Sequence, residues 1–510
     1  MWCGFMGFEL NRRTFLQMLA ALSAGLGFGA KAQTMSAGHK LPARPVLHRT
    51  NLVGIQIEPF AWTDEGIDKV LDTVQEKGNV NTVFAYTYDF HGGRITKGGS
   101  TPLPDHGSYA SGMLRGGGFY DYDLKFFQHT TLKEFRSRDF KDFNVITAVA
   151  PKMKARGMDF FAWDYNNASA EQMRFIPGFA SVAERDIFGR PTASACFNHP
   201  DYRGHLSGKI ASLLSGYPSE VAGIMWGCER MGPLDNMLGG GFSRPFTTCF
   251  CEFCRAKARN LGISVDRAID GYLKMEKLFQ AGREKKRPTD GFFVNFWRTL
   301  LEFPEILSWQ NLWMSSYEET RSELYGLAKV LAPERPFGFH IQQNMTFSPF
   351  YSAGDDYAKL KEYADFIKIA TYNNSAGPRM SVFLEGLCST VFADTTPQQL
   401  LPVYYKMMGY HEKSLEEIVT GGLSSDYVTS ETKRAIAGTE GKVRVYPGID
   451  IDIPTCKGEK KTAPGDVREA VRAALDAGAP GIVLNRDYNE MQLANLAAAG
   501  EMSREIFAKR

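Results

Sequence analysis

Three cysteines fall within six positions of "TTCFCEFCRAKARN": Cys249, Cys251 and Cys254, in a chain that has 8 Cys in all. A Cys-x-Cys-x2-Cys run offers three thiolates and needs one more ligand to close a tetrahedral zinc site. Cys196, in "FGRPTASACFNHPDYR", is the candidate for that ligand, and Cys228 is the alternative. The competing readings are disulfides of an oxidising compartment and plain buried thiols. A thioredoxin-like redox pair has a different spacing. Cys388 and Cys456 stand apart from the group.

A second set of chemistry-bearing residues recurs at the carboxyl ends of short apolar runs. They are Glu58, Asp89, Asp164 with Asn166, Glu229 with Arg230, His340 with Gln342, Tyr372 with Asn373, Asp450 with Asp452, and Asn485 with Arg486. Aromatic companions (Tyr86, Trp163, Trp226, Tyr488) accompany them, and together they describe a polar ring with stacking surfaces, suited to a sugar. Glycoside hydrolysis needs two carboxylates flanking the bond, one protonated to help the leaving oxygen depart and one ionised. Glu229 is the sharpest candidate. It follows "GIMWGC", whose glycines at 223 and 227 share its parity and so face the same side of a strand. Asp450 is the expected partner from across the ring, with Asp452 as the other choice. Asp89, Trp163, Asp164, Asn166, Trp226, Arg230, His340, Gln342, Tyr372, Asn373, Asp452, Asn485 and Arg486 are the expected substrate-binding residues.

The elements that must position these residues alternate regularly. Eight apolar runs, rich in β-branched and aromatic residues, span 51–60, 80–90, 158–167, 221–230, 336–344, 364–374, 443–452 and 480–490. Amphipathic helical stretches lie between them, such as "DEGIDKVLDTVQEKG", "DFNVITAVAPKMKARG", "DYRGHLSGKIASLLSGY" and "DVREAVRAALDAGA". Several open on an Asp and close on a Gly, the residues expected at helix caps. Strands alternating with helices predict a parallel sheet, and eight such units predict a (β/α)8 TIM barrel. A doubly wound sheet is the competing fold, but no Gly-rich nucleotide fingerprint follows the first run. Long insertions follow strands 2, 4 and 6, where a barrel builds its active site. The first, 91–140, is rich in Gly, Tyr and Phe. The second, at 231–330, is Cys-rich and helical, and the third, 381–440, is helical. The whole of 50–510 reads as a single barrel.

Ahead of it, "NRRTFLQMLAALSAGLGFGAKAQT" combines Arg12 and Arg13, an apolar run from Phe15 to Phe28, and an A-x-A site at Ala30 to Ala32. That order predicts a twin-arginine signal peptide over 1–32, followed by a linker over 33–49. The apolar run is shorter than the ~20 residues a membrane span needs. The expected location is therefore periplasmic or secreted, with no stable membrane span after signal removal. The formal net charge of +2, with 23% charged and 44% hydrophobic residues, is that of a globular chain. It carries no basic stripe of the kind nucleic acid requires. A carbohydrate substrate is the expected partner, no organic cofactor is expected, and the sequence says nothing of oligomeric state.

The segments "ACFNHPDYR", "GIMWGCE" and "CFCEFCRAKA", with the later "EILSWQNLW", resemble the catalytic barrel of glycoside hydrolase family 42, the β-galactosidases, over about residues 188–320. The resemblance implies Glu229 as acid/base, and Cys196, Cys249, Cys251 and Cys254 as ligands of a structural zinc. It also implies departures. Cys228 stands where the family has Asn, and the strand-seven position offers only Asp450 or Asp452 where the family has a Glu nucleophile. The leading expectation is an exported O-glycosyl hydrolase of oligo- or polysaccharides. Two alternatives stay open: a barrel that binds glycans without cleaving them, and a metal-dependent sugar isomerase or epimerase with Glu229, His340 and Asp452 as ligands.

Overall fold

The computed structural model describes residues 49–90, 104–107, 116–239 and 247–510. The expected signal peptide and, apart from Arg49, the linker lie outside these residues, as does most of 91–115. All eight apolar runs form strands: β1 Leu52–Ile57, β2 Thr82–Asp89, β3 Asp159–Tyr165, β4 Gly223–Gly227, β5 Phe337–Ile341, β6 Phe366–Ile369, β7 Arg444–Asp450 and β8 Gly481–Asn485. Neighbouring barrel strands are all parallel, and a two-residue strand, Gly117–Gly118, pairs antiparallel with the end of β2. β1 pairs with β2 (Gly54 opposite Thr82) and with β8 (Leu52 opposite Gly481), which closes the sheet. The fold is a (β/α)8 barrel, as the alternation predicts.

The strands are buried along nearly their whole length because helices cover the outside and side chains fill the inside. An aromatic floor plugs the barrel. Phe84, Phe161 and Phe366 have ring centroids 5.3 to 6.2 Å apart, and Tyr446 lies 5.9 Å from Phe366. Neighbouring strands supply glycines where these rings lie. A Cβ on Gly54 would sit 2.6 Å from Phe84, and one on Gly223 would sit 2.5 Å from Phe161. Large residues on some strands and small ones on others interdigitate at crystal-like density.

The insertion after β4 carries the helices Glu252–Asn260, Val265–Arg283 and Phe292–Glu302, then the 27-residue Glu305–Leu331. Four helices of the insertion after β6 run from Asn373–Cys388 to Ser425–Gly438. Two local readings need correction. The helix starts are shifted by two or three positions from the expected aspartates: Asn144 accepts from the amides of Ile146 and Thr147, and His199 accepts from that of Asp201. A two-stranded hairpin, Ala183–Arg185 with Pro191–Ala195, also occupies the connection after β3, where the sequence pattern gave no strand. Its strands are short and only partly buried, too short for a legible alternation.

Candidate active site

Glu229 follows β4 by two residues, and its backbone amide donates to Asn167 Oδ1 (2.6 Å). Its side chain is 37% exposed. This sets it apart from the other expected strand-end carboxylates, since Glu58, Asp89, Asp164, Asp450 and Asp452 are all buried. Glu229 Oε1 lies 2.6 Å from His340 Nε2, near the carboxyl end of β5. On the other side of that ring, Lys368 Nζ lies 3.3 Å from His340 Nδ1, and it also donates a short hydrogen bond to the Tyr372 hydroxyl. An ammonium has only donors, so Nδ1 must accept, and the imidazole proton sits on Nε2 and points at Glu229.

Glycines on two strands make room for this chain of groups. A Cβ on Gly227 would lie 2.2 Å from the Trp163 ring and 3.0 Å from His340 Cβ. One on Gly448 would lie 2.8 Å from Tyr372 and 2.9 Å from Lys368 Cε. Trp163 stacks on Tyr165 (5.0 Å) and meets the His340 ring edge-on (5.6 Å), which packs the imidazole between an apolar floor and the mouth.

The electrostatics follow from burial with fixed partners. Burial would raise the Glu229 carboxyl, but the His340 hydrogen bond and the charges of Lys368 and Arg379 outweigh it and hold Glu229 well below the usual carboxylate range. His340 is lowered to about 4, by burial first and then by Lys368, against the pull of Glu229. Lys368 is lowered to about 7 by burial, with Glu229 and Asp487 opposing. At neutral pH the site therefore presents an ionised Glu229 and a neutral His340.

Asp450 ends β7 with no exposed surface. One of its carboxylate oxygens accepts from the Ser375 amide (2.8 Å), in the first turn of helix Asn373–Cys388, and the other from the Ile453 amide (3.2 Å). Burial raises its carboxyl, with the Ser375 hydrogen bonds and Arg379 opposing. Arg379, half-buried on the same helix, feels the charges of both Asp450 and Glu229 and also that of Arg486. Glu229, His340, Lys368, Tyr372, Arg379 and Asp450 thus share one charged neighbourhood at the carboxyl end of the barrel.

Several expected cleft residues are placed elsewhere. Asp164 and Asn166 turn outward and clasp the buried Lys209 of helix Pro200–Gly216 (2.9 and 2.5 Å). Trp226 points into the helical layer, 6.0 Å from Tyr317. Arg230 is buried in an ion pair with Glu184 and lies over the Phe197 ring (4.5 Å). Gln342 donates to the Arg230 carbonyl and Asn373 to that of Leu423, so both hold loops. Asn485 donates to Gln56 below the mouth. Asp452 accepts from Asn495 (2.8 Å) and the Gln492 amide (2.8 Å) at the last helix, and burial raises it to about 6. Arg486 pairs with Glu490. Asp89 is buried at the end of β2. Asp164 and Trp226 turn outward because they hold the parity opposite to Trp163 and Gly227, and the outer face of a barrel can bury a charge when a helix brings the counter-charge; the others are engaged by neighbouring strands and loops.

Sequence reasoning missed Asn167, Lys368 and Arg379. Lys368 left a signal: it is the lone charge in "FIKIA", on the parity of the floor residue Phe366. Arg379 left none, because it arrives from a helix.

The four cysteines singled out by spacing come together. The sulfurs of Cys196, Cys249, Cys251 and Cys254 all lie within 4.8 Å of one another, all four buried. Cys196 stands 3.5 Å from both Cys251 and Cys254, so none of the four forms a disulfide. Four ligands at Zn–S ≈ 2.3 Å would stand about 3.8 Å apart, so the donor set fits a tetrahedral metal. The Asn198 amide and side chain donate to Cys196 and Cys254 (3.3 Å each), as groups around a metal-bound thiolate do. Cys228 faces away and donates to the Asn166 carbonyl. The cluster ties the hairpin after β3 to the insertion after β4. Phe250 stacks on Trp309 of the long helix (4.3 Å), and Glu184 of the hairpin accepts from Thr248 and Trp313 while pairing with Arg230, next to Glu229.

No protein-family model matches the sequence, and no curated protein matches it. Among solved structures, the β-galactosidase of the psychrophilic Marinomonas ef1 is similar at 12% identity and a TM-score of 0.50, over 90% of this chain and 60% of that one. The β-galactosidase of the Antarctic haloarchaeon Halorubrum lacusprofundi is similar at 13% identity and a TM-score of 0.50, over 89% and 58%. The chain spans about three fifths of these β-galactosidases, and at such identity the likeness is one of fold.

Proposed function

We propose that this chain, which shares the barrel fold of β-galactosidases and has a four-cysteine cluster beside its mouth, is a glycoside hydrolase with Glu229 as the carboxylate at the scissile bond. The observation that carries this reading is the accessibility of Glu229. Of the expected strand-end carboxylates it alone reaches solvent, and it does so at the barrel end where active sites form. An oxocarbenium-like transition state gains from a fixed negative charge on one face, which the His340 hydrogen bond supplies. Asp450, the expected second carboxylate, ends β7, three strands round from β4, and shares Arg379 and Tyr372 with Glu229. It anchors the helix that carries Arg379.

The complete burial of Asp450 favours a second reading, a glycan-binding barrel without turnover. The isomerase reading has less support: Asp452, one of its three expected ligands, is engaged by Asn495 and the Gln492 amide. We further propose that Cys196, Cys249, Cys251 and Cys254 hold a structural zinc that stiffens the wall behind Arg230. It would supply no chemistry to the sugar. The N-terminal Arg-Arg and A-x-A pattern supports folded, twin-arginine export, which would install the metal before the thiols meet an oxidising compartment.

The test is hydrolysis of a panel of aryl glycosides and glycans by the mature chain from Gln33, with Glu229→Gln as control. Turnover lost in the variant supports the hydrolase. Retained glycan binding with no turnover in either protein establishes the binding barrel.

A further inference from the structure

Lys368 is an unusual residue to find inside the barrel. It has no exposed surface, and it stands on β6 with its stem against Gly448 of the neighbouring β7, whose missing Cβ leaves the space. A buried ammonium is costly unless its donors are satisfied and a counter-charge is near. Its two described acceptors, the Tyr372 hydroxyl and His340 Nδ1, are both neutral. Its counter-charges come from other elements: Glu229 after β4 and Asp487 after β8. Arg379 and Asp450 complete the charged surroundings. A hydrophobic residue would fill the same volume at lower cost, so the charge requires a role.

We propose that Lys368 is a positioning residue for Glu229, acting through His340. Lys368 donates to Nδ1, which leaves the imidazole only Nε2–H to present and disfavours the imidazolium. That N–H fixes the Glu229 carboxylate at the mouth, while Trp163 and Tyr165 hold the ring from the side. Glu229 then enters the reaction as the ionised partner of the pair, nucleophile or base, and the leaving oxygen takes its proton from elsewhere. This last consequence rests on the glycosidase reading. The Lys368–His340–Glu229 arrangement does not.

The test is the tautomer and titration of His340 by 15N NMR of histidine-labelled protein, assigned with His340→Asn. The wild-type chain is expected to show a protonated Nε2 and an unprotonated, hydrogen-bonded Nδ1, unchanged between about pH 5 and pH 6.5, below the value of about 7 at which Lys368 loses its proton. In Lys368→Met the imidazole is expected to titrate at a higher pH than the value of about 4 that it has in the wild-type chain. Lys368→Gln, which keeps a donor but not the charge, is expected to keep the tautomer and lose the resistance to protonation. A wild-type His340 protonated on Nδ1, or carried as imidazolium at neutral pH, overturns the proposal even if neither variant folds. If a substrate is in hand, the acid limb of kcat/KM moves to higher pH in Lys368→Met with KM little changed. An unmoved limb overturns the role toward Glu229. The absence of any hydrolysis speaks against the glycosidase reading and leaves the NMR result standing.

Discussion

His340 Nε2 and Glu229 Oε1 lie 2.6 Å apart, on adjacent barrel strands, with Gly227 clearing the space between the imidazole and the wall. The pair joins a buried neutral ring to a half-exposed carboxylate, so the carboxylate is both oriented and open to a ligand. Changes at this contact should separate binding from chemistry.

Glu229→Gln should keep the fold and lower kcat/KM by about 10²–10⁴-fold on any glycoside the chain cleaves. The amide keeps the size of the carboxylate and can still accept from His340, so glycan affinity by calorimetry should change little. Equal loss of affinity and turnover would count against a chemical role.

Asp164 and Lys209 form a buried pair on the outer face of the barrel, so they should matter for stability and not for substrate. Lys209→Met leaves the Asp164 charge without its partner and should cost about 3–5 kcal/mol in urea unfolding. KM of the folded fraction should not move. A raised KM at unchanged stability would return Asp164 to the cleft.

Gly448→Ala places a Cβ 2.6 Å from Asn485 Oδ1 and 2.9 Å from Lys368 Cε. Overpacking of this kind should cost about 1–3 kcal/mol and lower activity more than a surface Gly→Ala control such as Gly465, which has open space around it. Thermal unfolding and turnover measured together check both effects.

Cys254→Ser should abolish stoichiometric zinc by elemental analysis and lower the melting temperature, since structural zinc contributes folding energy directly. A strong chelator should do the same to the wild-type chain. Full metal content in the variant would exclude Cys254 as a ligand.

Asp235, buried in helix Pro233–Gly239 with Gln310 as its hydrogen-bond partner, is raised to about 7 by burial, which the Gln310 bond only partly offsets. A carboxyl raised in the folded state supports stability below its unfolded pKa of 3.8 and loses that support as pH climbs through about 7. Asp235→Asn should therefore gain on the wild-type chain as pH rises from about 4 to 8, by up to about 4 kcal/mol in denaturant unfolding. A constant difference across that range would refute the assignment.

The eight strands were legible because each is a short apolar run bounded by polar residues, and a parallel barrel buries both faces of every strand. The cysteine cluster was legible because three ligands are local in sequence and the fourth lies in the neighbouring loop. Glu229 was legible through the parity it shares with Gly223 and Gly227. What each polar side chain pairs with was not legible, because the partner comes from a distant element: Lys209 for Asp164, Glu184 for Arg230, Asn495 for Asp452, and Lys368 and His340 for Glu229. The sequence by itself determined which residues stand at strand ends and that the strands close a barrel, since local periodicity encodes both. Only the tertiary structure decided which of those charges face a ligand and which are sealed in the wall, because burial and protonation depend on neighbours that meet only when the barrel closes.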